Sequence, residues 1–524
     1  MSGAVFDPAC QAIPPMQVHG DPPQDIPRRI RAAAQRDPGK TALIAGEMQW
    51  SAADLVDRMD RIAALLHRDG LRQGDVIATL AGATADHLLL YLGAAALGVG
   101  VAPLPSSAHP DAIMRMLENS GASAVFAESG APALPAGLPG HRDLAEAVAS
   151  AARCAPLPPR DLPPDLMFDI IYSSGTTGAP KGIEHDILFR DRQVLRFVRF
   201  GLDAQAVVLF STPLYSNTTL ATLIPALSQG STVVLMAKFD AGEFLRLSQA
   251  HRVTHAMMVP VQVQRIIDHP AFGDHDLSSY RAKLSTSAPL PPPLLRQVLD
   301  RWPGRMINIY GMTEGGVSAV LDCTAHPDKV HTVGKVGPGA EIRVIDAEGN
   351  TLPSGQTGEI VGRSTTMMRG YRNAPDVTRA ALWTSPEGDI FIRSGDMGRF
   401  DEDGFLVLLD RRKDMIISGG FNIFAADIEA VVAEHPQVRD VAVIGVPSER
   451  WGETPVACVV LGDGATVTAA DLLAWANERL GRMQRLAAVA ALPDLPRSAI
   501  GKVLKRELRD AWQDLRAEDS VAHV

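Results

Sequence analysis

The segment best equipped for chemistry is Tyr172-Ser173-Ser174-Gly175-Thr176-Thr177-Gly178-Ala179-Pro180-Lys181-Gly182. A run of hydroxyls, two glycines that admit close backbone approach and one lysine suit a loop wrapped around phosphate oxygens. The apolar run Phe168–Tyr172 predicts a strand just ahead of it, the position from which phosphate loops spring in α/β folds. The spacing rejects a GxxxxGK[ST] loop. Two residues rather than four separate the glycines, Gly182 follows Lys181 where Ser or Thr is required, and Pro180 disfavours the helix that should already be running. Taken alone, the composition also fits a flexible surface linker.

Other chemistries find less support. His185, His255 and His331 stand in no metal-ligand spacing, and no GxSxG elbow exists to pair with them, so supporting or surface positions are expected. Cys10, Cys154, Cys323 and Cys458 lie far apart without a CxxC pair, which excludes a disulfide framework or zinc ribbon and fits a reducing cytoplasm. The 50 basic and 60 acidic residues sum to −10, so no basic footprint for nucleic acid exists. Only nine of the 50 basic residues are lysines, which draws attention to each of them.

The elements that must position the loop are legible in outline. The chain has 524 residues, 46% of them hydrophobic, enough to bury a large core in about two to four domains. The proline-bearing stretch Met1–Asp25 reads as a loose tail without a targeting signal. Leu88–Ala102 is uncharged but shorter than the ~20 residues of a membrane span. It reads as a buried helix and strand, so no membrane span is expected. Ala52–His67 has Leu55, Met59, Ile62 and Leu66 on one helical face, and Val76–Leu80 reads as a strand. A connector with five prolines, Ala155–Pro164, precedes a second βα series. Its strands are Phe168–Tyr172, Val207–Ser211, Thr232–Met236, Thr254–Met258 and Met306–Tyr310, with helices Ala241–Ala250 and Val261–Asp268. Such alternation predicts mostly parallel sheets covered by helices. Beyond Val336, short strands with glycine turns suggest a small β-rich part. A compact α+β unit follows: helix Ala426–Glu434, strands Val438–Val446 and Pro455–Leu461, and helix Asp471–Leu480.

The glycine-threonine string resembles the signature loop of the adenylate-forming superfamily: acyl-CoA and aryl-CoA synthetases, peptide-synthetase adenylation domains and beetle luciferases. Further motifs follow in the family's order. They are Tyr310-Gly311-Met312-Thr313-Glu314, Gly358-Glu359-Ile360, Gly370-Tyr371, Ser394-Gly395-Asp396, Asp410-Arg411-Arg412-Lys413-Asp414, Ser418-Gly419-Gly420-Phe421-Asn422-Ile423, Trp451-Gly452-Glu453 and Pro496-Arg497-Ser498-Ala499-Ile500-Gly501-Lys502. The resemblance implies an α/β fold: a large N-terminal domain of two αβ lobes plus a small β-barrel, then a small mobile α+β C-terminal domain. The expected boundaries are a tail over 1–25, the AMP-binding domain over 26–411 and the C-terminal domain over 412–524, with a hinge at Lys413.

The implied reaction is attack of a carboxylate on the ATP α-phosphate, release of pyrophosphate, and transfer of the acyl group from acyl-AMP to coenzyme A. Both reactants of the first step are anions, so the enzyme must neutralise and align them. Glu314 suits Mg²⁺, an ion commonly held by one or two carboxylates plus substrate phosphates. Lys502, in a loop of Pro, Ser and Gly, suits a movable charge bridging phosphate and carboxylate. The resemblance places Thr313 beside these two in the catalytic set. It assigns ATP or AMP binding to Ser173, Ser174, Gly175, Thr176, Thr177, Gly178, Lys181, Ser287, Ala288, Pro289, Tyr310, Gly311, Met312, Thr313, Asp396, Arg411 and Lys502, with Asp396 and Arg411 on the ribose. The acyl pocket falls on Tyr215, Ser216, Asn217, Val261 and Gly311, and the coenzyme A channel on Ser418, Gly419 and Gly420.

Two departures stand out. Thr286-Ser287 replaces the small residues that relatives more often carry before Ala-Pro, adding bulk near the acyl pocket. Ser216 stands where many relatives have an aromatic residue or histidine, leaving a smaller, neutral wall. The pocket segments Tyr215–Leu220, Val259–Arg265 and Ser285–Pro289 hold no cation except Arg265, which ranks dicarboxylates below monocarboxylic acids, fatty or aromatic. The alternatives are a stand-alone adenylation enzyme loading a carrier-protein pantetheine thiol, and a non-catalytic nucleotide or acyl sensor. Retention of both Glu314 and Lys502 weighs against the sensor.

Overall fold

The computed structural model describes residues 23–524 except 133–139, 174–180, 289, 412–413, 419–420, 449–450, 483, 499–500, 502, 516–520 and 524, with backbone alone at 173, 411, 421–422, 513–515 and 521–523. The chain divides into two compact units, one of residues 1–342 and 361–392, the other of 343–360 and 393–524.

The first unit contains two sheets. In the nine-stranded sheet, Val207–Phe210 lies between His255–Met258 and Thr232–Leu235. The order runs outward through Ala282–Ser285, Arg305–Gly311 and Ser318–Asp322 to Lys335–Val336 on one side, and through Thr41–Ala45 to Met48–Ser51 on the other. The central pairs are parallel, as the βα alternation predicts, and the antiparallel pairs lie toward the edges. The seven-stranded sheet runs Gly370–Tyr371, Lys181–Asp186, Met167–Ser173, Gly100–Pro103, Val76–Leu80, Ala124–Ala127, His141–Asp143.

Local sequence explains the helices that cover these sheets. Helix Ala52–Arg68 starts at Ser51, whose hydroxyl and the Asp54 carboxylate form a reciprocal capping box. Every residue of helix Ala85–Leu97 except Asp86 is buried, and Gly98 ends it at φ +80°. The uncharged stretch Leu88–Ala102 is thus a core helix and strand. At Gly93 a Cβ would lie 2.3 Å from Ile62 Cγ2, so the two helices meet where a side chain is missing. No helix among the described residues is long and apolar enough to cross a membrane.

The β-rich part beyond Val336 contains the strands Ala340–Ile345, Gly358–Ser364, Leu382–Thr384, Ile390–Phe400 and Leu406–Arg411. Within the first unit, Leu382–Thr384 pairs antiparallel with Ile390–Ile392. Within the second, Asp396–Phe400 pairs antiparallel with Leu406–Arg411. The remainder of the second unit is a six-stranded sheet built on the long hairpin Val438–Ser448 and Gly452–Leu461, covered by helices Ala425–Val432 and Ala469–Arg479. Its apolar core includes Ile428, Val443, Val459 and Leu472.

Candidate active site

The strand predicted ahead of the glycine-threonine loop is present as Met167–Ser173, but the chain returns as a second strand, Lys181–Asp186, rather than entering a helix. The two pair antiparallel with Ser173 opposite Lys181, and the next helix begins only at Ile187. The loop therefore links the two strands of a hairpin, a further departure from P-loop architecture. Residues Ser174, Gly175, Thr176, Thr177 and Gly178 lie outside the described residues, as does the side chain of Ser173.

Three elements of the first unit converge beside Lys181. Its Nζ lies 5.1 Å from the Tyr371 ring centroid, and the Tyr371 hydroxyl donates to Glu314 Oε1 at 2.9 Å. Burial, followed by the neighbouring Glu314 carboxylate, holds the Tyr371 hydroxyl well above the usual phenol range, so it remains a donor. Tyr371 was absent from the expected site residues, although its Gly-Tyr motif was visible.

Glu314 sits in the turn between strands Arg305–Gly311 and Ser318–Asp322, where Gly311 opposes Ser318. Tyr310, Gly311, Met312 and Thr313 lead into that turn. Met368 N donates to Glu314 O at 2.8 Å, and Gly316 N donates to Thr366 O at 2.9 Å. Gly315 and Gly316 have φ of +74° and +73°, and a Cβ on Gly315 would fall 2.0 Å from Thr366 O. The turn that carries Glu314 therefore requires glycine at 315 on two counts. Gly315→Ala should cost about 2–4 kcal/mol, combining a left-handed backbone with a backbone clash. Denaturant unfolding midpoints check this, and a loss below ~1 kcal/mol would show that the turn relaxes.

The segments expected at the adenine and at the acyl group also meet in this unit. Ser287, just beyond strand Ala282–Ser285, has φ +78°, a region that disfavours a side chain, and its Oγ lies 2.8 Å from Thr218 Oγ1. The departure from small residues noted at 286–287 thus places a hydroxyl against the start of helix Asn217–Gln229. Ala288 follows and Pro289 lies outside the described residues. The Ser216 hydroxyl accepts from Thr218 N at 3.2 Å and caps that helix. Burial raises the pKa of half-buried Tyr215. Val261 lies in the first turn of helix Pro260–Ile267.

A buried ionic cluster adjoins these segments. Asp169, His185 and Arg190 are each 0% exposed. Arg190 Nη2 and Nε donate to Asp169 Oδ2 at 2.6 and 3.0 Å, Tyr91 OH donates to the same oxygen at 2.6 Å, and His185 Nδ1 lies 2.7 Å from Oδ1. Burial pushes the Asp169 pKa up, but Arg190 and then His185 outweigh it and hold the carboxyl below its ordinary value. Arg190 Nη1 also donates to Asn217 Oδ1 at 2.8 Å. A cation does stand beside the segment expected to line the acyl pocket, supplied by another helix and paired with Asp169. The signal for it was the unusual polarity of strand Met167–Ser173 at Asp169. Of the other two histidines, His255 is buried, with Nε2 3.0 Å from Phe200 O, and His331 is exposed.

In the second unit, Asp396 and Arg411 are direct cross-strand partners, so the two residues expected at ribose share one register position. Asp396 N donates to Ser394 Oγ at 3.0 Å. Ser418 is buried at the end of strand Ile416–Ser418, opposite Phe421 and Gly452. Gly419, Gly420, Lys413 and Lys502 lie outside the described residues. Arg497 and Val503, which flank the Lys502 loop, form an antiparallel bridge.

Mg²⁺ is compatible with what the first unit offers. Among the described residues, no group of three or more His, Cys, Asp or Glu side chains is arranged to hold a metal. Glu314 instead presents a single partly exposed carboxylate. That donor set suits an ion held mostly by substrate phosphates and water rather than by a protein cage.

Residues 30–372 match the AMP-binding enzyme family, and residues 427–502 match the AMP-binding enzyme C-terminal domain. A feruloyl-CoA synthase from Amycolatopsis sp is 34% identical over 493 residues, covering 91% of this chain and 96% of that protein. An indoleacetate–CoA ligase from Aromatoleum aromaticum is 33% identical over 501 residues, with 90% and 95% coverage. Among solved structures, o-succinylbenzoate CoA synthetase from Bacillus subtilis, in complex with its acyl-adenylate intermediate, superposes with a TM-score of 0.83. It is 27% identical, with coverage of 94% and 99%. The amide bond synthetase McbA from Marinactinospora thermotolerans gives 0.82 at 28% identity, with 93% and 99% coverage. The chain belongs to the AMP-binding enzyme family, that is, the adenylate-forming superfamily, and is an AMP-forming acid–thiol ligase.

Proposed function

We propose that the acid is an aryl-substituted monocarboxylate and the acceptor coenzyme A itself. The observation that carries this is the agreement along 91% of the chain with a ligase named for feruloyl-CoA. The neutral character of Ser216 and Asn217, and the pairing of nearby Arg190 with Asp169, support a pocket without a free cation for a second carboxylate.

In this reading the hairpin loop of residues 173–178 and Lys181 hold the ATP phosphates. Glu314 takes Mg²⁺, which neutralises phosphate charge when bound. Thr313 lies beside the reacting phosphate, and Tyr371 orients the Glu314 carboxylate. Tyr310, Gly311, Met312, Ser287, Ala288 and Pro289 line the adenine, while Asp396 and Arg411 take the ribose hydroxyls. Lys502 bridges the α-phosphate and the attacking carboxylate. The AMP-binding domain spans 26–411 after a tail over 1–25, and the C-terminal domain spans 412–524. Lys413 is the hinge between half-reactions, and Ser418, Gly419 and Gly420 admit the pantetheine arm. The reaction takes place in the cytoplasm, with no carrier protein or nucleic acid as partner.

A panel of cinnamic, phenylacetic, straight-chain and dicarboxylic acids tests this, read as pyrophosphate release and coenzyme A thioester formation. The best aryl acid should exceed the best straight-chain acid in kcat/KM by about tenfold or more, the scale on which an apolar pocket discriminates. A straight-chain acid leading the panel would overturn the aryl assignment. Thioester formation on a carrier protein but not on coenzyme A would overturn the acceptor.

A further inference from the structure

We propose that Asp169, His185 and Arg190 form a positioning group that holds the Thr313–Glu314 turn in place and ties it to the start of helix Asn217–Gln229. His185 Nε2 lies 2.8 Å from the Thr313 carbonyl oxygen, while Nδ1 meets Asp169 Oδ1 at 2.7 Å. A carbonyl oxygen can only accept, so Nε2–H donates to Thr313, while Nδ1 faces both Asp169 Oδ1 and, at 3.1 Å, Arg190 Nη2. The ring plane is set by stacking on Phe189, with centroids 3.9 Å apart. Phe189 reaches the other side of the same turn, where its Cε2 lies 3.1 Å from the position a Gly315 Cβ would take. Residues 313 and 315 are thus each braced by one member of a stacked pair, and Glu314 stands between them. Through Arg190 the same cluster grips Asn217 Oδ1 at 2.8 Å and Gln193 Oε1 at 2.7 Å. Taking three ionisable groups out of water is costly, and a buried ionic cluster is weak evidence for stability on its own. Its contacts end on the backbone of one site segment and on a side chain of another. That arrangement fits orientation of distant groups, in the way outer partners orient metal ligands.

The inference rests on the reading that Thr313 and Glu314 serve MgATP, which acid-dependent pyrophosphate release by the wild-type chain tests separately. Two substitutions divide the work of the ring, because asparagine reproduces the reach of Nδ1 and glutamine that of Nε2. His185→Asn keeps a donor toward Asp169 and loses the one to Thr313. It should lower kcat/KM for MgATP about 10- to 100-fold at little change in KM for the acid. His185→Gln keeps the donor to Thr313, gives up the charge-assisted bond to Asp169, and should recover most of that loss despite melting no higher than His185→Asn. The crossing of rate and melting temperature is the expected signature. Wild-type kcat/KM in His185→Asn, or rates falling in the order of the melting temperatures, would overturn the proposal. Should His185→Asn not fold, Tyr91→Phe loosens Asp169 without touching the ring. It should lower kcat/KM for MgATP several-fold at constant acid KM, and an unchanged value would equally overturn it.

Discussion

Lys502→Ala should nearly abolish acyl-AMP synthesis from ATP and acid, yet leave thioester formation from pre-made acyl-AMP and coenzyme A near the wild-type rate. A lysine is a compact charge on a flexible stem, able to bridge two anions as one attacks the other. Losing an oriented charge at such a centre costs on the order of 100- to 1,000-fold. The second step begins after pyrophosphate has left, so the phosphate charge that Lys502 offsets in the proposed reading is already reduced. Measuring the two half-reactions separately, by pyrophosphate release and by thioester yield from supplied acyl-AMP, decides the matter. An equal fall in both would assign Lys502 to the stability of the C-terminal unit or to both steps.

Glu314→Gln is the second large effect. The Glu314 carboxylate accepts from Tyr371 through Oε1 at 2.9 Å, and glutamine retains a carbonyl that can accept the same bond. The substitution therefore removes charge while preserving the hydrogen-bonded geometry of the turn, and the melting temperature should move by only a few degrees. Adenylation should fall on the order of 100-fold, and half-saturation should shift to higher Mg²⁺, because in the proposed reading a hard cation loses an anionic ligand. Unchanged turnover at limiting Mg²⁺ would remove Glu314 from the metal site.

The small number of lysines is a less direct guide to the site than it looked. Lys283 is buried, and its Nζ donates to the carbonyls of Trp302, Pro303 and Gly304 at 2.9, 2.6 and 2.7 Å. Lys40 likewise donates to the carbonyls of Ala204 and Gly230. An ammonium has three rotatable donors and gathers converging carbonyls well, so an arginine-rich chain keeps lysine at these positions for backbone reasons. Rarity alone does not separate Lys181 and Lys502 from such residues; the motifs around them do.

Much of the architecture was legible because it is locally written. Helix Ala241–Ala250 appears with its expected bounds, and helix Ala52–Arg68 extends the predicted one by a single residue. The strand Thr232–Leu235 lies within its expected run. Apolar periodicity and capping residues determine such elements without reference to distant parts of the chain. Strand Lys181–Asp186 escaped notice because Lys, Glu, His and Asp dominate it. Its strand character comes from pairing with Met167–Ser173 and with Gly370–Tyr371, nearly two hundred residues away.

By itself, the sequence determined the order and identity of the chemical motifs, because residue type sets which atoms can bind phosphate, ribose or a hard cation. It also determined the βα alternation that carries them. Only the tertiary structure decided which motifs stand together. Tyr371 reaches Glu314 across a sheet edge, and Ser287 reaches the first turn of a helix sixty-nine residues earlier. Arg190 brings a paired cation to Asn217, although no cation was legible in the acyl segments apart from a late Arg265. The reason is physical: side-chain contacts across 27 to 128 residues, such as Arg190 to Asn217 and His185 to Thr313, depend on strand order and register. Those are set by the packing of whole sheets and leave no trace in the local pattern of any one segment.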